Sequence, residues 1–172
     1  IVVYATSEPT EALLLGGRTA TVSAGRVTQV GATADLYRSP TNLQTAQVFS
    51  DPPINVAAVE KSDGEIRLGE AARWPAPPDL RDAPDGPYMV AIRPHHISPT
   101  ESGRGAVILP GRVRITELSG SESVAHFDFS GGSWVAQSHG TQGYEVGEAH
   151  DFFIDTRGCL YFSPDGARLG AG

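Results

Sequence analysis

Glycine and proline interrupt this 172-residue chain so often that no helix bundle fits between them. The sequence holds 20 Gly and 13 Pro, residue types that break helices and collect in turns. From Pro53 onward the intervening segments are short and rich in β-branched and aromatic residues. Residues 56–61, 65–68, 88–92, 111–118, 122–129, 133–138, 150–155 and 159–162 read as strands. Turns are expected at Ser62-Asp63-Gly64, Ser119-Gly120-Ser121, Ser130-Gly131-Gly132 and Ser163-Pro164-Asp165-Gly166. Ile66 and Leu68 alternate with Glu65 and Arg67, the pattern of a half-buried strand. Many short strands at this spacing predict a mainly β chain built around a small barrel. The proline-rich stretch from Trp74 to Pro87 and residues 99–105 are expected to be loops.

The first fifty residues follow a different pattern. They carry three acidic and three basic residues, whereas the rest carries seventeen and ten, which gives the chain its net charge of −7. The step falls near Asp51-Pro52-Pro53, where a boundary is expected between residues 1–50 and 51–172. Ile1-Val2-Val3-Tyr4 reads as a buried strand. Since no Met stands at position 1, the chain is expected to be a piece of a longer protein. A helix is expected to follow, with Ser7 as N-cap, Pro9 in its first turn, Glu8 and Glu11 at its positive end, and Gly16-Gly17 as its stop. Next come a hairpin (19–23 and 26–30, turning at Ala24-Gly25) and a short helix from Thr33 to Tyr37. A last helix ends at Phe49, with Thr41 and Gln44 at capping-box spacing. The region is thus a small α/β unit preceding a β region.

Composition excludes several functions. No apolar run approaches the roughly 20 residues of a membrane-spanning helix. The acidic balance argues against a nonspecific nucleic-acid binder. Cys159 stands alone, so neither an internal disulfide nor a cysteine zinc cluster is available.

The order strand–helix–hairpin–helix–helix carries a resemblance. Tyr4-Ala5-Thr6-Ser7-Glu8, Glu11-Ala12, Arg18, Gly25-Arg26-Val27, Gln29-Val30-Gly31, Leu36-Tyr37-Arg38-Ser39-Pro40 and Phe49 resemble the end of the nucleotide-binding domain of ABC-transporter ATPases. They are most similar to the importer branch for sugars, polyols and glycerol phosphate. Ile92-Arg93-Pro94-His95-His96-Ile97 and the stretch from Arg112 to Glu122 resemble landmarks of that branch's C-terminal regulatory region, a pair of OB-like barrels called TOBE domains. His95 stands where that pattern has Glu.

The resemblance implies a regulatory and dimerisation region of an ATP-binding subunit. Its parent would use ATP and Mg²⁺, pair with a second, identical or unlike ATPase subunit, and dock on membrane permease subunits at the inner face of the cell membrane. It also implies that a regulatory protein or small ligand can be received on the TOBE region. Ser7 occupies the position of the family's switch histidine, which contacts the γ-phosphate of ATP. A serine there is too short and too weak a base to replace imidazole, so the resemblance implies a degenerate site or a plain helix cap. The sequence has no Gly-x-x-x-x-Gly-Lys-[Ser/Thr] loop, so this chain by itself is expected neither to bind ATP tightly nor to hydrolyse it. Two other readings stay open at this level: an independent small-ligand-binding barrel and a purely structural dimerisation module.

Other chemistry has little support. His95 and His96, if on a strand, point to opposite faces. His126, His139 and His150 lack ligand spacing, and no nucleophile elbow presents Ser133 or Ser138 to His150-Asp151. Phe127, Phe129, Phe152 and Phe153 are expected in the core rather than as base-stacking platforms.

Overall fold

The computed structural model describes residues 1–101 and 106–170. The N-terminal part holds helix α1 (Pro9–Leu15), a hairpin of β1 (Arg18–Ser23) and β2 (Arg26–Ala32), and helices α2 (Thr33–Arg38) and α3 (Leu43–Val48). Two five-stranded antiparallel sheets follow. The first is formed by β3 (Asn55–Ser62), β4 (Glu65–Leu68), β5 (Ala72–Pro75), β6 (Gly86–Ile92) and β12 (Leu160–Phe162), in the order β12-β6-β3-β4-β5. The second is formed by β7 (Ile97–Ser98), β8 (Val107–Leu118), β9 (Glu122–Phe129), β10 (Gly132–His139) and β11 (Ala149–Ile154), in the order β10-β9-β8-β11-β7. Its end strands β7 and β10 lie against each other, which nearly closes the sheet into a barrel. The chain is mainly β and barrel-like, as the turn spacing predicts.

Both sheets turn their apolar faces to one core. Val59, Ile66, Trp74 and Val90 of the first meet Leu109, Val113, Phe127 and Phe152 of the second. Phe127 and Phe152 stack with ring centroids 3.8 Å apart. Gly111 on β8 makes this possible, because a Cβ there would run into the Phe127 ring. Ile66 and Leu68 are buried as their alternation predicts. Trp74 donates its indole N–H to Tyr161 Oη at 2.7 Å, linking the outer strands β5 and β12 across the core.

One polar side chain stitches the sheets together. Asn55 opens β3, lies buried, and donates from Nδ2 to Ile92 O (3.1 Å) and Val135 O (2.8 Å) while its Oδ1 accepts from Val135 N–H (2.6 Å). The carboxamide thus imitates a peptide unit facing β10.

The N-terminal part buries threonine hydroxyls beside Leu36, Ala46 and Phe49. The hydroxyls of Thr21, Thr28 and Thr45 lie 2.7–3.3 Å apart and tie the hairpin to α3. The turn after β12 straps α3 to the first sheet, since Leu43 N–H donates to Gly166 O (2.9 Å) and Arg168 N–H to Thr41 O (3.0 Å). Ala46 of α3 packs with Ile54, Ala91 and Phe162.

Several local expectations need correction. Residues Ile1 to Tyr4 form no strand and their side chains are exposed, because no described strand pairs with them. The N-cap of α1 is Glu8 rather than Ser7, and the Thr6 hydroxyl accepts from Glu8 N–H at 2.9 Å in a tight local turn. The capping pair of α3 is Asn42 and Thr45, one residue beyond Thr41 and Gln44, because Asn42 can also donate from Nδ2 to Thr28 O (3.0 Å). The proline-rich stretch begins inside β5, where Pro75 ends a strand with no further partner on its outer side. His95 and His96 lie in a 3₁₀ turn, Pro94–His96, rather than on a strand. The loop expected over 99–105 falls partly on residues 102–105, outside those described.

The Asn55→Ala variant strands the buried Val135 N–H and C=O without partners. It is expected to lower stability by about 2 kcal/mol, read as a shift of the urea midpoint at unchanged slope. An unshifted midpoint shows that the stitch contributes nothing.

Candidate functional site

Ser7 lies exposed in the bend before α1. The corner around it is held by its neighbours: Thr6 Oγ1 and Tyr4 Oη donate to Glu11 Oε2 at 2.5 and 3.1 Å. The Glu11 hydrogen bond and charge raise the Tyr4 pKa. The Ser7 hydroxyl is therefore not needed to hold the helix start.

The Arg93-Pro94-His95-His96 landmark sits where the N-terminal part meets the two sheets. Arg93 is buried, its guanidinium lies 4.0 Å from the Tyr37 ring centroid, and Nη2 donates to Tyr37 O at 2.6 Å. Burial lowers its pKa from the ordinary arginine value. The His95 and His96 rings lie 4.4 Å apart. His96 lies close against Gly158, where a Cβ would stand 2.5 Å from the ring, and its carbonyl accepts from Asp155 N–H at 3.0 Å. Desolvation lowers the His96 pKa, and Asp155 opposes this. His95 turns the other way, into a cleft. Although His95 as a residue is exposed, partial desolvation of its ring, then His96, Arg93 and His139, bring its pKa down to about 4.

That cleft, about 550 Å³, opens between the 3₁₀ turn, β7, β9 and β10. Its wall includes His95, Ser98, Thr100, Glu122, Gln137 and Gln142. Gln137 donates from Nε2 to Glu122 Oε2 at 2.8 Å. Sequence reasoning did not find this site, because its residues are scattered over more than forty positions. The available signal was the run of polar residues at the end of β10, Gln137-Ser138-His139, where the apolar run Trp134-Val135-Ala136 stops.

The remaining candidates stay apart. His126 faces Glu117 at 3.4 Å, His139 lies 4.0 Å from Glu122, and His150 Nε2 is 3.3 Å from Pro99 O. Among the described residues no three metal-ligating side chains converge. Ser133 and Ser138 lie on β10, and among the described residues neither hydroxyl is hydrogen-bonded to His150, whose Nε2 faces Pro99 O instead. Phe127, Phe129 and Phe152 are buried, and Phe153 is half-buried beside a second cleft of about 620 Å³.

Two sheets sharing a core, the second nearly closed, form an OB-like β module, and residues 90–162 match the TOBE domain family. The chain is similar to the sn-glycerol-3-phosphate import ATP-binding protein UgpC of Ralstonia nicotianae, with 30% identity over 75% of this chain and 37% of that protein. It is also similar to the maltose/maltodextrin import ATP-binding protein MalK of Aliivibrio fischeri, with 27% identity over 95% and 46%. The xylose/arabinose import ATP-binding protein XacK of Haloferax volcanii is 29% identical over 85% and 39%. Among solved structures, the cytoplasmic molybdate-binding protein ModG superposes with a TM-score of 0.47 at 14% identity, over 64% of this chain and 96% of that one. The chain therefore carries a TOBE domain and is a relative of the ATP-binding subunits of ABC importers in the sugar and glycerol-phosphate branch. It spans less than half the length of these relatives.

The His95 shift has a consequence for stability. The folded protein holds His95 at about 4 against 6.5 for a free imidazole, so between these values the unfolded chain binds the proton more readily. The stabilisation is full above about pH 6.5 and is lost as pH falls toward 4. The lowered His96 acts in the same direction. An NMR titration of the His95 ring is expected to give a midpoint near 4, and His95→Gln should reduce the fall in unfolding free energy across this window. A midpoint near 6.5 refutes the assignment.

Proposed function

We propose that this chain is the regulatory and dimer-stabilising C-terminal region of the ATP-binding subunit of an ABC importer. The parent couples ATP binding and hydrolysis, with Mg²⁺, to uptake of a sugar, polyol or glycerol derivative. The observation that carries this reading is the breadth of the similarity. It spans 95% of the chain in the MalK comparison, through the small α/β part as well as the β sheets. A free-standing ligand-binding barrel would have no reason to keep the first part.

In this reading, ATP is held by residues of the subunit outside this chain, and the chain contributes Ser7 near the γ-phosphate. The exposed apolar side chains of Ile1, Val2, Val3, Leu14 and Leu15 form the surface on which the rest of that nucleotide-binding domain packs. The partners are a second ATPase subunit, identical or unlike, and the membrane permease. The working location is the cytoplasmic face of the membrane. No helix of the described residues is long and apolar enough to cross a membrane.

Ser7 gives the test. At the switch position a hydroxyl cannot hold the transferring phosphoryl group and attacking water as an imidazole does. Introducing Ser7→His into the complete subunit, assembled with its partner, is expected to raise ATP turnover by at least about tenfold, within the range that one transition-state donor supplies. An unchanged turnover removes the case for a degenerate site at this residue.

A further inference from the structure

We propose that the cleft between β7, β9 and β10 is a binding site for a small neutral polyhydroxylated ligand, a sugar or polyol. Its volume of about 550 Å³ lies inside the roughly 300–1,000 Å³ of small-molecule sites. The chemistry of its wall then selects the ligand class. Gln137 and Gln142 offer carboxamides, Ser98 and Thr100 hydroxyls, and His95 an imidazole. Each of these groups both donates and accepts, as a ring or chain of hydroxyl groups requires. His95 is neutral at physiological pH and so keeps one donor and one acceptor nitrogen. Pro99 adds an apolar surface for C–H groups.

Charge excludes the obvious competitors. Glu122 is the wall's carboxylate, and among the described residues neither Lys nor Arg lines the cleft, so an oxyanion meets repulsion without compensation from them. A metal ion lacks a set of three converging ligands among the described residues. Toward a hydroxyl group, in contrast, Glu122 is a strong acceptor. Gln137 holds one of its oxygens at 2.8 Å, while the other stands 4.0 Å from His139. The carboxylate is thereby oriented before any ligand arrives.

The frame of the cleft is also fixed in advance. The buried Ser123 hydroxyl donates to Gly140 O (2.7 Å) and accepts from Gln142 N–H (2.9 Å), which pins the backbone that carries the Gln142 side chain. The backbone beneath Gln142 is thus ordered before any ligand arrives, which lowers the ordering cost of binding.

The test uses the 172-residue chain and does not depend on the transporter reading, so either can fail without the other. Calorimetric titration is carried out with glycerol, xylose, maltose and inorganic phosphate. At least one neutral probe is expected to bind saturably with Kd of about 1 mM or tighter, and phosphate not to displace it. Gln137→Ala and Gln142→Ala are each expected to weaken binding by about tenfold, the effect of one well-placed hydrogen bond. Gln142 makes no side-chain hydrogen bond within the fold among the described residues, so its variant stays readable if Gln137→Ala is destabilised. Failure of all three neutral probes to saturate overturns the proposal. Binding indifferent to Gln142→Ala, or displaced by phosphate, overturns it equally.

Discussion

Two stacked sheets can share a core yet slide across each other, because face-to-face contact between apolar side chains has no register of its own. In this chain the carboxamide of Asn55 removes that freedom. It belongs to β3 by its backbone and to β10 by its side chain, so the edge of the second sheet is fixed on the N-terminal end of β3. The magnitudes divide the labour. Each large core side chain such as Phe127, Phe152 or Ile66 contributes roughly 1.5–3 kcal/mol through burial, and together they far outweigh one amide. Asn55 contributes position instead. With β10 fixed, β7 can lie against it and nearly close the second sheet, and the cleft wall formed by Gln137 and His95 takes its shape.

The attachment of the N-terminal part follows a similar logic with a charge. A buried guanidinium without a carboxylate partner is costly, and Arg93 is compensated by the Tyr37 ring face and carbonyl. Separation of α2 from the sheets would leave that cation buried without either. The strap between the turn after β12 and α3 adds a second connection, so the small α/β part is bound at two points to the first sheet. Any displacement of the small α/β part is then felt at Arg93 and, two residues on, at the His95 wall of the cleft.

Sequence patterns revealed the strands because their signal is local. Ile66 and Leu68 alternate with charged neighbours, and turns with Gly at positive φ, such as Gly25, Gly64 and Gly131, mark where each strand stops. The same reasoning failed where a distant partner decides. Ile1 to Tyr4 is as β-branched as any strand, but strand formation needs a neighbour and none of the described strands provides one. Thr41 and Gln44 have capping spacing, and Asn42 displaces them because it also reaches Thr28 across the hairpin. Trp74-Pro75 reads as a loop until the partner strand β4 is in place. The resemblance pointed to Ser7 and to the Arg93 landmark as candidates, whereas the cleft was illegible because Glu122 and Gln137 become neighbours only through the β9–β10 pairing.

Local chemistry, more than net charge, decides what the β region can hold. The aromatic rings that an oligonucleotide groove would present are occupied in the core, with Phe127 against Phe152 and Phe129 edge-on to Trp134. The basic side chains near the outer face of β8 and β9 are partly neutralised, as where Arg114 meets Asp128 at 2.6 Å. The cleft between β7, β9 and β10 carries one carboxylate and, among the described residues, neither Lys nor Arg, and it is lined by groups that both donate and accept. Departure from the family pattern at His95 contributes directly. A Glu at this position, beside Glu122 across the cleft, would put two carboxylates in one small cavity and turn it toward cations. With His95 in its place and neutral, the cavity suits a ligand whose polarity comes from hydroxyl groups.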